Sequence, residues 1–235
     1  MNFYRSSIYY GDAEDITSSY TVKVNKKLQQ TTLTRYFSQN NTFNDKVIIG
    51  NNVNNCAFML QYCNNFNSEV IIGRNVKVLY HFLYACNNFN RNIIIPDKAE
   101  NCCEMFYLCE KMSSKITFGK NMVDCVRMFQ GCYQLSIDND VTLPKSVALA
   151  NGMFAECGRL NIPNLYINNI NCGISYMLSS WHNSRINIFC EDLTEIVSLT
   201  QSDSIVGGKI TWTPMTNGYY NALRNIYLYN NYLGT

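Results

Sequence analysis

The apolar positions of this chain recur in a fixed order. A pair of large apolar residues is followed by two free positions and a small residue, then by two more free positions and another apolar anchor. The leading pairs are Tyr36-Phe37, Met59-Leu60, Phe82-Leu83, Met105-Phe106, Met128-Phe129, Met153-Phe154 and Met177-Leu178. Successive pairs are 23, 23, 23, 23, 25 and 24 residues apart. A period in that range marks a stacked repeat architecture. Four residues after the first position stand Asn40, Cys63, Cys86, Cys109, Cys132, Cys157 and Trp181. Three residues before it stand Leu33, Cys56, Leu79, Cys102, Cys125, Ala150 and Ile174. Offsets of −3, 0, +1 and +4 share one face of a helix, so the spacing predicts a short helix in every repeat.

A β-branched run follows each predicted helix. These runs are Val47-Ile48-Ile49, Val70-Ile71-Ile72, Ile93-Ile94-Ile95, Ile116-Thr117-Phe118, Val141-Thr142-Leu143, Leu165-Tyr166-Ile167 and Ile186-Asn187-Ile188. Several end in Gly50, Gly73, Pro96, Gly119 or Pro144, residues that turn a chain back. The fold class expected is an α/β solenoid of the leucine-rich-repeat kind. It would have about seven strand–turn–helix rungs of 23–25 residues, with a parallel sheet on one face. Residues 1–30 fall outside the pattern. Tyr20–Asn25 alternates with period two, and the segment is expected to form a β-hairpin cap or docking arm. Residues 31–190 form the repeat array, and residues 191–235 a C-terminal cap or assembly segment. Within the last, Leu193, Ile196 and Leu199 suggest a helix and Lys209–Thr213 a strand.

The unit Met-Phe-x-x-Cys-x-x-Leu, followed by a β-branched run, resembles the BspA-like leucine-rich repeat, also called the Treponema pallidum type. Met153–Leu160 matches it best and Met128–Leu135 almost as well. The resemblance covers residues 31–190 and implies a right-handed curved solenoid with strands on its concave face. It also implies adhesion or protein binding without catalysis. Members occur on bacterial surfaces, in protists and in bacteriophage proteins.

Composition narrows the function classes. A net charge of +2 provides no strong field for nucleic acid or acidic lipid. No apolar run reaches the eighteen or so residues that a membrane span needs, and residues 1–8 carry no secretion signal, so the expected compartment is a cytoplasm. The eleven cysteines are odd in number and mostly fall in repeat columns. They therefore read as reduced core residues rather than a disulfide framework. Asparagine occurs 33 times, which an A/T-rich genome would explain.

Candidate chemistry is sparse. His81 and His182 have no partner at catalytic spacing and read as structural or surface residues. The column cysteines recur at repeat spacing rather than at the short spacing of zinc ligands, and Cys103 lies off the column beside Cys102. Gly207-Gly208 is too short for a phosphate loop. No catalytic, cofactor-binding or metal-binding residue is assigned, and no cofactor.

Attention moves to the strand face. If the first and third strand positions face the core, the middle positions form an exposed ladder of Ile48, Ile71, Ile94, Thr117, Thr142, Tyr166 and Asn187. Two readings stand: an ordinary β-branched sheet face, or a partner-binding surface centred on Ile48, Ile71 and Ile94. The tyrosines Tyr219, Tyr220, Tyr227 and Tyr229 are candidates for assembly contacts, since Tyr is enriched at interfaces. The function expected is a non-enzymatic structural or interaction protein of a bacteriophage virion, head or tail. It would bind other subunits or a host receptor, with no nucleic acid, membrane or small-molecule substrate. The alternative is a bacterial or protist repeat protein mediating adhesion or intracellular protein binding.

Overall fold

Each repeat closes as a coil whose backbone is tied mainly to its neighbours. A computed structural model describes residues 31–137, 139–158, 160, 162–169 and 172–178. Beyond these it describes the backbone of four strands: β1 (Ile8–Tyr10), β8 (Arg185–Cys190), β9 (Lys209–Pro214) and β10 (Tyr227–Leu228). The remaining strands are β2 (Val47–Ile49), β3 (Val70–Ile71), β4 (Ile93–Ile94), β5 (Ile116–Thr117), β6 (Val141–Leu143) and β7 (Asn164–Ile167).

The strand–turn–helix rungs do not form, and the α/β leucine-rich-repeat solenoid is overturned with them. No helix occurs among the described residues, and no single sheet runs along one face. The strands fall into three sheets: β1-β2-β3, β4-β5 and β6 to β10. Pairing is parallel except between β9 and β10. β1 lies parallel to β2, with Tyr9 in register with Ile48. The predicted strand at Tyr20–Asn25 and the helix at Leu193, Ile196 and Leu199 lie outside the described residues.

The reason for the missing helix is in the hydrogen bonds. A helix bonds each N–H to the carbonyl four residues back. Here alternate amides turn outward to the next coil: Leu83 N–H donates to Met105 O at 2.9 Å and Ala85 N–H to Tyr107 O at 2.7 Å. The amides between them close tight turns within the coil, as Phe82 N–H to Leu79 O at 3.1 Å and Cys86 N–H to Leu83 O at 3.1 Å. Left-handed residues reorient the peptides, one just before each apolar pair and one three residues into it. His81 (φ 53°) and Ala85 (φ 55°) do this in one coil, Glu104 (φ 52°) and Leu108 (φ 57°) in the next. Left-handed backbone costs a non-glycine residue about 1–2 kcal/mol. The inter-coil bonds and the packing beneath offset that cost.

A second line of contact runs the length of the described array. Single parallel bridges link Thr32, Asn55, Val78, Asn101, Asp124, Leu149 and Gly173 in turn. Between the bridges and the strands lies a continuous core. Met105, Phe106, Cys109 and Met112 are all fully buried, as are their counterparts Met128, Phe129, Cys132 and Leu135. Phe106, Phe129 and Phe154 stack with ring centroids 5.3 and 5.5 Å apart and planes within a few degrees. A further buried column, Val53, Val76, Ala99, Met122 and Val147, packs under the turn that leaves each strand.

The cysteine column has a hydrogen-bonding role as well as a size. Cys63, Cys86, Cys109, Cys132 and Cys157 each donate Sγ–H to a carbonyl of the preceding coil, at 3.0–3.2 Å. The acceptors are Phe37, Leu60, Leu83, Phe106 and Phe129. All ten described cysteines are free thiols. Burial pushes Cys56 and Cys102 up to about 12, so these thiols stay protonated.

Asparagine does similar work on the rim. Asn44 Oδ1 accepts from Asn67 N–H, Asn67 Oδ1 from Asn90 N–H and Asn90 Oδ1 from Ser113 N–H, at 2.7–3.0 Å. Each side chain caps an amide one coil further on, satisfying backbone that no strand reaches. This gives the asparagine content a structural use that codon bias does not supply.

Candidate functional site: the strand-face groove

The middle strand positions differ from one coil to the next. Ile94 is 68% exposed, Thr117 and Thr142 are exposed, and Ile71 and Tyr166 are half-buried. Ile48 does not belong to the exposed set. It is only 5% exposed, although it occupies the same middle position of its strand. The apolar surface therefore centres on Ile71 and Ile94 rather than on Ile48. Of the tyrosines proposed for assembly, Tyr227 lies in β10 and pairs through its backbone with the Thr211 position. Tyr219, Tyr220 and Tyr229 lie outside the described residues.

Ile71 and Ile94 form the floor of an open groove of about 820 Å³. Val70 and Ile72 continue the floor, while Asn44, Ser68 and Asn92 contribute polar groups. Asp45, Lys46, Glu69 and Arg91 supply two charges of each sign to its walls. Lys46 Nζ lies 2.8 Å from Glu69 and Arg91 donates through Nε to Asn67 O at 2.7 Å. The groove is thus apolar below, nearly neutral around its rim and of the size common for specific ligand sites, about 300–1,000 Å³.

The groove spans one of the two places where the strand ladder is interrupted, the other lying between β5 and β6. Val47 N–H donates to Glu69 O at 2.9 Å and Ile93 N–H to Lys115 O at 3.1 Å. The equivalent bond from Val70 to Asn92 is missing among the described residues. Likewise Ile95 N–H donates to Thr117 O at 2.9 Å, with no equivalent from Ile72 to Ile94. β3 and β4 accordingly belong to separate sheets. Two local changes accompany the opening. Arg91 stands where the neighbouring coils carry Ser68 and Ser114, and Pro96 where they carry Gly73 and Gly119.

A second cluster gathers on the turn side. His81 Nε2 lies 2.9 Å from Glu104 Oε2, and Arg127 lies 3.7 Å from the same carboxylate. The 2.9 Å contact lacks hydrogen-bond alignment, leaving Nε2 buried and without a directed partner. Gln61 Nε2 approaches His81 Nδ1 at 3.2 Å, and Phe58, Tyr80 and Tyr84 surround the ring. Burial lowers the basicity of His81 more than Glu104 raises it. The reading of His81 as partnerless missed this grouping. The signal was available, since His81, Glu104 and Arg127 stand one repeat apart in a single column. Cys103, beside Glu104, is half-buried, and burial pushes its thiol up to about 12, far from a reactive thiolate.

Among the described residues, no three His, Cys, Asp or Glu side chains converge as a metal set, and no helix is long and apolar enough to cross a membrane. No protein-family model, curated protein or solved structure matches the chain.

Proposed function

We propose that the chain is a non-enzymatic structural protein that holds another protein subunit at its strand-face groove. The observation that carries this reading is the floor of that groove. Ile94 stands 68% exposed beside Ile71, on a surface whose other exposed middle strand positions, among the described residues, are Thr117 and Thr142. Contiguous apolar area set in a polar surround usually marks a contact site, and a groove with charges of both signs on its walls suits a protein surface better than a polyanion.

The assembly we favour is a bacteriophage virion, head or tail, built in a reducing cytoplasm that suits free thiols. Mass spectrometry of purified particles tests the location. The chain should be a stoichiometric component, and recovery only as a free monomer from cytosol would refute the virion assignment. Charge substitution tests the surface. Ile94→Asp should leave folding unchanged, because the side chain is already in water, and should release the protein from its assembly. Retention of the variant in the assembly at the wild-type level would refute the groove as the contact.

A further inference from the structure

Arg91 brings more donors to the groove than its place in the coil requires. The residue at this place ties its coil to the rim of the one before. Ser68 donates through its hydroxyl to Asn44 O, and Ser114 through its hydroxyl to Asn90 Oδ1. Arg91 performs the same task with Nε–H, which donates to Asn67 O at 2.7 Å. A serine suffices for that bond in the coils on either side. The guanidinium carries four further N–H donors on its two terminal nitrogens, and no hydrogen bond or ion pair engages them among the described residues. The side chain is exposed and lines the groove with Ile71 and Ile94.

The other charges of the groove divide into one engaged pair and one lone acid. Lys46 Nζ lies 2.8 Å from Glu69, so these two offset each other. Asp45, two coils away from Arg91, has no ion pair among the described residues. The groove thus leads from an uncommitted carboxylate, across an apolar floor, to an uncommitted guanidinium.

We infer that Arg91 receives a side-chain carboxylate, Asp or Glu, of the partner subunit, beside apolar side chains that rest on Ile71 and Ile94. This depends on the reading of the groove as a subunit contact and names the charge that orients it. With Nε held by Asn67 O, the two terminal nitrogens offer parallel N–H bonds, a fork that matches a carboxylate. Asp45 gives the contact a direction, because it repels a second acid and attracts a basic residue at the partner's other end. A phosphate group fits less well. It carries a charge of about −1.5 to −2, and the carboxylates of Asp45 and Glu69 line the same groove.

The test uses the full chain and two synthetic peptides, acetyl-Lys-Ile-Val-Glu-amide and its counterpart with Gln in place of Glu. Carbon-13 shifts of the Ile71 and Ile94 methyl groups report binding. The Glu peptide should shift both residues and bind at least fivefold more tightly than the Gln peptide. Arg91→Ser restores the residue that the neighbouring coils carry, so it should fold as the wild type does and bind the two peptides equally. Equal binding of the peptides by the wild type, a Glu preference that survives in Arg91→Ser, or no methyl shift with the Glu peptide overturns the inference. The two readings fail separately. If Ile94→Asp releases the native assembly while Arg91→Ser stays in it at the wild-type level, only the carboxylate contact falls. If Ile94→Asp leaves the assembly intact, the subunit-contact reading falls and the inference with it.

Discussion

Single atoms decide much of what this backbone tolerates. A Cβ placed on Gly73 would stand 2.4 Å from the Gly50 carbonyl oxygen, a main-chain atom that cannot move aside. One on Gly131 would meet only the end of the Leu108 side chain, at 2.5 Å. Gly73→Ala should therefore cost about 2–3 kcal/mol in denaturant unfolding, more than Gly131→Ala, although Gly131 is the one in the left-handed region (φ 75°). The buried thiols make a second case. Cys109→Ala removes both a fully buried sulfur and its bond to Leu83 O, and should cost roughly 1–3 kcal/mol. A thiol reagent at pH 8 should leave Cys63, Cys86, Cys109, Cys132 and Cys157 unlabelled until the protein is unfolded.

His81 connects a residue to the pH dependence of the whole fold. Its basicity in the folded chain lies below the ordinary value of 6.5, chiefly through burial. As pH falls through 6.5 the unfolded chain takes up this proton first, so the folded state loses ground. The stability contribution is fully present above 6.5 and declines as pH drops towards the lower folded value. Of the charged groups near the ring, Glu104 favours the proton, while Arg127 interacts with the same carboxylate. His81→Gln should flatten the fall in unfolding free energy as pH drops below 6.5, and an acid limb unchanged from the wild type would contradict this account.

At the scale of the element, the repeat period and its packed columns are legible in the sequence, while the path of the backbone between them is not. Met128, Phe129, Cys132 and Leu135 are spaced as on a helix and all are fully buried. A coil that reverses hand every four residues presents the same spacing to the core. What separates the two is the pair of left-handed residues, and their identities give no warning. Arg35, Phe58, His81, Glu104 and Arg127 occupy one such position, and Gln39, Tyr62, Ala85 and Leu108 the other. Only Gly131 and Gly152 carry the residue type normally associated with that conformation. The groove was half legible: Ile71 and Ile94 follow from strand alternation, but the missing ladder bonds and the burial of Ile48 depend on neighbours that periodicity does not name.

Two measurements follow from the coil. Far-UV circular dichroism should lack the paired minima of a helical protein, which a strand–turn–helix array would show. Gln39→Gly should raise stability by roughly 1 kcal/mol. Gln39 is exposed with φ 64°, and its amide bond to Gln61 O survives the change.

For the molecule as a whole, cohesion is a matter of nearest neighbours in register. Removing residues 79–101 joins Val78 to Cys102, which occupies the column of Leu79, so every cross-coil pair finds an equivalent partner. Such a deletion should fold cooperatively, with its denaturant slope reduced by roughly a tenth in proportion to the surface lost. Removing one residue fewer places Asn101 in that buried column and shifts each later pair, and this variant should not fold. Surface ion pairs such as Lys77–Glu100 and Lys120–Asp97, both at 2.8 Å, follow the same spacing but are exposed and contribute little.

The amides that leave each coil run in both directions along the stack. Leu33 donates to Asn55, Cys56 to Val78, Leu79 to Asn101, Cys102 to Asp124 and Cys125 to Leu149, towards the later coil, while Asn54 donates to Thr31, Lys77 to Asn54, Glu100 to Lys77 and Val123 to Glu100, towards the earlier one. Opposed peptide dipoles offset one another, and each junction between described coils is stitched by bonds of both senses, like a lacing rather than a row of hooks.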